Sequence, residues 1–200
     1  MIDTCVDAAN AGNAEAKLNL GILYYYGFGI ERNYAEASRL IKSAVKQGSV
    51  RGQAVLANLH YRGIGVKQDY AKAVRLLKLA SNQGDGYAQL LLGEAYWYGM
   101  GLEKDYDQAF RLIQLSAENG DAVAQTALAD MYWDGIGVEK NRPKAVRLYE
   151  LAAKKGNADA QIDTAYIYYN GLEGEQDYAE AVRLWTLAAE QNEARAQNTL

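Results

Sequence analysis

Between Gly84 and Asn119 the apolar residues fall at helical intervals twice, separated by a short glycine-rich break. In the first stretch Ala88, Leu92, Ala95 and Tyr96 stand at i, i+4, i+7 and i+8, a stripe along one face of a helix of about 13 residues. Asp85 precedes it, a residue type whose short side chain accepts from the free N–H groups of a first helical turn. Gly99-Met100-Gly101-Leu102 then breaks the pattern, because glycine takes left-handed backbone angles without penalty and so ends a helix sharply. A second cap, Asp105, opens a second helix that carries Ala109, Leu112, Ile113, Ser116 and Ala117 inward and closes at Gly120. The pattern predicts a helical hairpin, with small residues that let its two helices approach closely.

The same pattern recurs along the whole chain at intervals of 36 residues. Gly12, Gly48, Gly84, Gly120 and Gly156 open the copies, and Asn192 opens a truncated sixth. Tyr24, His60, Tyr96, Tyr132 and Tyr168 form one column, and Arg39, Arg75, Arg111, Arg147 and Arg183 another. First-helix caps are expected at Asn13, Ser49, Asp85, Asp121 and Asn157, and second-helix caps at Asn33, Asp69, Asp105, Asn141 and Asp177. Pro143 falls in a first turn, where a helix tolerates proline. The residue between the loop glycines (Phe28, Ile64, Met100, Ile136 or Leu172) is expected to plug its loop into the core. Regular self-similarity at this period is the signature of a stacked array whose units bury apolar faces only against neighbours. The expectation is an all-α chain of about eleven helices and a single array over 1–200. Residues 1–11 end a preceding repeat; full repeats cover 12–47, 48–83, 84–119, 120–155 and 156–191; residues 192–200 begin another. Such open ends lack the polar caps of a finished array, which points to a piece of something longer.

The run Gly84…Ala88-Gln89…Leu92-Gly93…Tyr96…Gly99-Met100-Gly101-Leu102…Asp105…Ala109…Ala117…Gly120 resembles the Sel1-like repeat, a relative of the tetratricopeptide repeat with a longer loop. The match recurs in all five copies. It implies a right-handed α-solenoid of stacked hairpins and a bacterial source. Two departures stand out. His60 replaces the column tyrosine in the second copy, and Glu173 replaces the second loop glycine in the fifth, where a different turn is expected.

Composition narrows the function by exclusion. A net charge of −4 argues against nucleic acid or an anionic membrane, both of which want a basic patch. No apolar run approaches the ~20 residues needed to span a bilayer, and Met1 to Asn13 lacks the basic start and apolar stretch of a signal peptide. A soluble protein of the bacterial cytoplasm or periplasm is expected. One cysteine, Cys5, leaves no internal disulfide. One histidine excludes a metal site built on two imidazoles, and His60 reads as a packed stand-in for tyrosine. The recurrence of Gly-x-Gly in every loop marks scaffold rather than a phosphate site. The arginine column reads as a brace between neighbouring helices. Asp130 and Asp134, at i and i+4, read as a solvated acidic patch. No enzyme, metal or cofactor is expected.

Where the copies disagree, recognition is the natural candidate. On the first helix the unlike columns fall at i, i+3, i+7, i+10 and i+11, one side of a helix. By copy they are Glu15, Leu18, Ile22, Tyr25 and Tyr26; Arg51, Ala54, Asn58, Tyr61 and Arg62; Tyr87, Leu90, Glu94, Trp97 and Tyr98; Val123, Thr126, Asp130, Trp133 and Asp134; Asp159, Ile162, Tyr166, Tyr169 and Asn170. The tetratricopeptide relationship implies that this side lines a concave surface. The partner-binding candidates are Tyr26, Arg51, Asn58, Tyr61, Arg62, Tyr87, Glu94, Trp97, Tyr98, Asp130, Trp133, Asp134, Tyr166 and Asn170. They are rich in Tyr, Trp and Arg, the types that dominate binding hot spots. Arginines lie early and carboxylates late, a gradient that would orient a partner. The aromatic column Tyr25, Tyr61, Trp97, Trp133 and Tyr169 is open to two readings, packing or binding. The expected function is a non-catalytic scaffold for a protein or peptide, of the kind that serves as a bacterial adaptor or a toxin-neutralising immunity protein. The alternatives are an assembly segment joining through its open ends and a binder of carbohydrate or cell-wall fragments.

Overall fold

The computed structural model describes the backbone of residues 2–197 and the side chains of residues 3–191. Among the described residues there are eleven helices and no strand. After α1 (Ile2–Asn10), first and second helices of the repeats alternate: α2 (Ala14–Tyr26), α3 (Tyr34–Lys46), α4 (Val50–Arg62), α5 (Tyr70–Ser81), α6 (Gly86–Tyr98), α7 (Tyr106–Glu118), α8 (Ala122–Asp134), α9 (Arg142–Lys154), α10 (Ala158–Asn170) and α11 (Tyr178–Gln197). They form two compact units divided between Lys104 and Asp105, α1–α6 in the first and α7–α11 in the second.

Every expected cap is made. Asn13, Ser49, Asp85, Asp121 and Asn157 have extended backbones, and each side-chain oxygen accepts from the N–H three residues on. The second-helix caps accept from the N–H three residues on in the same way, down to Asp177 Oδ1 accepting from Glu180 at 2.9 Å. Each such cap contributes about 1 kcal/mol. The joints between repeats share a further economy of geometry. Gly48 N–H donates to Val45 O and Ser49 N–H to Ala44 O, which satisfies the last carbonyls of α3. Ser49 is also the N-cap of α4, so one residue closes one helix and opens the next. Asp85 and Asn157 repeat the arrangement with Ala80 and Ala152. No residue is left over for a linker, and the period cannot drift.

Within a repeat the second cap ties the hairpin. Asn33, Asp69, Asn141 and Asp177 donate their N–H groups to the carbonyls of Tyr24, His60, Tyr132 and Tyr168. Small residues carry the close approaches: a Cβ on Gly21 would lie 2.8 Å from Ile41 Cγ1. Ala37, Ile41 and Ala44 of α3, which packs on α2, are fully buried, as are Ala73, Leu77 and Ala80 of α5, which packs on α4. In the second unit Ala152, Ala160, Ala165 and Ala181 gather with Leu184 in one core cluster.

Several expectations change. Phe28 does not plug its loop: it is exposed and stacks on Tyr26, ring centres 5.2 Å apart, while the other residues of its column are half-buried. Glu173 adopts φ 61°, the same left-handed region as Gly29, Gly65, Gly101 and Gly137, so the expected change of turn is not made through this angle. The arginines at both ends of their column do not brace a neighbour. Arg39 and Arg183 each form two hydrogen bonds of 2.6–2.8 Å with the glutamate one turn back, Glu36 and Glu180. α11 runs unbroken past Asn192, which stands where earlier copies have the closing glycine. Side chains from Asn192 onward, and residues 198–200 altogether, lie outside the described residues, and with them most of the expected further repeat.

Candidate functional site

The first helices of the first unit, α2, α4 and α6, line a groove of about 230 Å³ formed by Ile22, Tyr25, Tyr26, Arg51, Val55, Asn58, Leu59 and Tyr87. Helical spacing explains the gathering. Arg51, Val55, Asn58 and Leu59 stand at i, i+4, i+7 and i+8 on α4 and share one face. Ile22, Val55 and Leu59 supply the apolar surface, and three tyrosines stand over it. Asn58 Nδ2 donates to the Tyr87 hydroxyl at 2.6 Å, and the Arg51 guanidinium lies 4.3 Å from the centre of the Tyr87 ring. Arg51 also lies 3.6 Å from Asp85 Oδ1, an ion pair too long for a hydrogen bond. At the other end of α4, Arg62 Nη1 donates to the Tyr25 hydroxyl at 2.8 Å. Burial pushes the Tyr87 and Tyr25 hydroxyls up from the ordinary tyrosine range, so both keep their protons at neutral pH. Tyr26 meets Tyr25 edge-on at 4.8 Å and is 52% exposed. Beyond the groove Trp97 and Tyr98 stack at 5.8 Å, with Tyr98 60% exposed.

In the second unit α8 and α10 present a different face. Tyr149 of α9 donates its hydroxyl hydrogen to Asp130 Oδ1 at 2.5 Å. Asp130 is half-buried, and burial raises its pKa against the opposing effect of that bond, so it is not part of a solvated patch. Asp134 is exposed. Asp163 is pushed up to about 6, first by burial and then by the charges of Asp130 and Asp159. Neither α8 nor α10 contains a lysine or arginine to relieve them. Tyr166 is 57% exposed on the same helix as Asp163, and Asn170 Nδ2 donates to the Tyr166 carbonyl.

Four residues of the aromatic column make ring contacts with the second helix of their own repeat. Tyr25, Tyr61 and Tyr169 lean on the tyrosine that opens the second helix of their own repeat, Tyr34, Tyr70 and Tyr178, at 5.3–5.8 Å. In the fourth repeat that tyrosine is replaced by Arg142, whose guanidinium lies 5.0 Å from the Trp133 ring, and Trp133 also meets Tyr149 at 6.3 Å. The Tyr61 hydroxyl turns inward to the Met100 carbonyl at 3.3 Å. Another column changes its place: Leu18, Ala54, Leu90 and Thr126 are buried and only Ile162 is exposed. The column one residue later (Asn19, Val55, Leu91, Ala127 and Asp163) reaches the surface instead. Its own unlikeness from copy to copy was the signal that could have found Val55 and Asp163.

His60 is buried, with Nδ1 3.1 Å from the Lys67 carbonyl and Nε2 without a hydrogen-bond partner. Burial, the dominant effect, pulls its pKa down.

The Sel1 repeat model matches residues 14–49, 50–85, 86–121, 122–157 and 158–193, successive and without a gap. The chain belongs to the Sel1 repeat family. Two similar solved structures bear this out along nearly the whole chain. A Sel1 repeat protein from Oxalobacter formigenes is 31% identical with a TM-score of 0.84, over 94% of this chain and 75% of that one. A protective antigen of uropathogenic Escherichia coli with the same repeat fold is 32% identical with a TM-score of 0.71 over 95% of this chain. This Sel1 repeat chain spans only 41% of that protein's length. An immunity protein from Pseudomonas aeruginosa shares the fold at 23% identity, with a TM-score of 0.64 over 99% of this chain and 72% of its own. No curated protein matches the chain. The family makes it an all-helical repeat scaffold, and no helix among the described residues is long and apolar enough to cross a membrane.

Proposed function

We propose that this Sel1 repeat chain is a non-catalytic scaffold that holds a protein or peptide partner on the outward faces of its first helices. One observation carries the reading. In the first unit Asn58, Tyr87 and Arg51 form an ordered set over an apolar groove, with Tyr26 and Tyr98 exposed nearby. Aromatic rings held in place and an arginine beside an apolar hollow are what protein hot spots are made of. A side chain already held in place also loses little entropy when a partner arrives. Within the second unit the candidates are Tyr166, Trp133, Asp130, Asp134 and Asn170, suited to a partner with cationic groups.

Adaptor and immunity roles both fit such a scaffold, and the likeness to an immunity protein is one of fold. The test is selection from a random peptide library displayed on phage. The whole chain is compared with a Tyr26→Ala/Tyr87→Ala/Tyr98→Ala variant whose helicity is verified by circular dichroism. Enriched peptides that bind the first and are lost by the second support the scaffold reading. Peptides held equally by both would move the binding surface off these helices. A library that yields nothing favours assembly through the chain's ends.

A further inference from the structure

The inference deepens the scaffold reading and rests on it: we infer that the groove of the first unit takes an extended, acidic segment of a partner. The segment carries two carboxylates about four to six residues apart with an apolar side chain between them. The hydrogen-bond polarity of the groove argues for this. The Tyr87 oxygen accepts from Asn58 and the Tyr25 oxygen accepts from Arg62, so each hydroxyl keeps its own hydrogen to donate. The Arg51 guanidinium stacks on Tyr87 yet stands 3.6 Å from its nearest carboxylate oxygen, which leaves its N–H fork able to engage another acceptor. Asp85 Oδ1 is already occupied at 2.7 Å by the N–H of Ala88 as the cap of α6. Arg51 in the groove and Arg62, bonded to the groove-lining Tyr25, therefore offer two guanidiniums beside two hydroxyl hydrogens, while the Asn58 amide oxygen and the Tyr26 hydroxyl are the lining side-chain acceptors. A carboxylate satisfies such donors and a cationic group does not.

The spacing identifies a segment rather than a single terminal carboxylate. Arg51 and Arg62 open and close α4, eleven residues apart in sequence. That is ~16 Å along a helix at ~1.5 Å per residue. An extended chain covers the same length in about five residues at ~3.3 Å each. Val55 and Leu59 fall between the two arginines along α4 and, with Ile22, supply the apolar part of a hollow whose volume of about 230 Å³ suits one apolar side chain. α4 itself carries no carboxylate. Glu94 of α6 lies near the groove, close enough to Tyr61 and Tyr87 to disfavour their ionisation. It opposes an acidic guest from one flank.

The test is fluorescence anisotropy on the whole chain at low and physiological salt. The probe is a labelled, acetylated and amidated peptide, GSEALAAESG, which has no terminal carboxylate. Its counterparts replace both glutamates by glutamine or by lysine. The expected result is binding at least about tenfold tighter for the glutamate peptide than for either counterpart, weakening with salt. Arg51→Gln and Arg62→Gln should each cost about tenfold, as for a lost charge-assisted hydrogen bond. Tyr87→Phe should cost a few-fold, and Glu94→Gln should tighten binding. Equal or tighter binding of the glutamine or lysine peptide overturns the acidic assignment, and so does indifference to both arginine substitutions or failure of all three peptides to bind. The library selection judges the scaffold reading independently, since neutral or basic peptides dependent on Tyr26, Tyr87 and Tyr98 would leave it standing.

Discussion

Glu173 holds a backbone angle that the other four repeats give to glycine, φ 61° against 65–76°. A residue with a Cβ in this region costs about 1 kcal/mol or more, because Cβ crowds the neighbouring carbonyl. Its exposed ion pair with Arg142, 3.9 Å long, offsets little of that. Glu173→Gly should therefore raise stability by about 1 kcal/mol, read as a higher urea midpoint at unchanged slope. Unchanged or lower stability would mean that the carboxylate does more than its distance suggests. The arginine column shows the same dependence on single residues. Three positions before each arginine stand Glu36, Lys72, Gln108, Lys144 and Glu180, and the resolved pairs occur where that residue is glutamate. A column that looks uniform in the sequence is thus not uniform in its chemistry. Only the partner position reveals it.

At the scale of the element, the two sets of glycines do different work. A Cβ on Gly65 would lie 2.1 Å from the Tyr34 carbonyl oxygen, and one on Gly137 2.2 Å from that of Tyr106. The loop of one repeat thus rests on the start of the second helix of the repeat before it. Gly84, at the other joint, has φ +84° and open space around its Cβ position. Gly65→Ala should cost about 3 kcal/mol or more, from strain and collision together, while Gly84→Ala should cost about 1 kcal/mol from backbone strain alone. Equal losses in urea unfolding would show that the loop can give way. Both glycine sets, the caps and the hairpin were legible in the sequence, because they answer to local backbone chemistry that residue type reports directly. The face of the first helix was less so. With 3.6 residues per turn, positions i+3 and i+4 both approximate one face, and pattern alone took Ala54 for surface and passed over Val55. The hydroxyl polarity of Tyr25 and Tyr87 depends on partners 37 and 29 residues away, which no local pattern contains.

For the molecule as a whole, the two units should answer acid in opposite directions. His60, in the first, is held below its ordinary pKa of 6.5 by burial. The unfolded chain then binds the proton more readily, and stability present above pH 6.5 is lost as pH falls through it. Asp163, in the second, is pushed up from 3.8 to about 6. Here the folded state binds the proton more readily, so stability is greatest at low pH and falls as pH rises from about 4 to about 6. Between pH 7 and pH 5, amide exchange corrected for intrinsic rates should show α4 and α5 losing protection while α8 and α10 gain it. Allowing for solvent screening, the Asp163 effect is on the order of 1 kcal/mol. His60→Tyr should flatten the first response and Asp163→Asn the second. Parallel changes in both units would count against this account. Only a chain stabilised by neighbour contacts rather than one shared core can respond so locally.

The footing of Gly65 on Tyr34, and of Gly101 on Tyr70, has a genealogical consequence. The second, third and fourth repeats each touch their predecessor through the same backbone position, so a lineage can drop or duplicate one of these units without inventing a new contact. Excising residues 50–85 would seat Gly101 on Tyr34 as it now sits on Tyr70. Unequal crossing-over between copies would then yield longer and shorter siblings that fold at once, leaving selection free to act on the few side chains that differ.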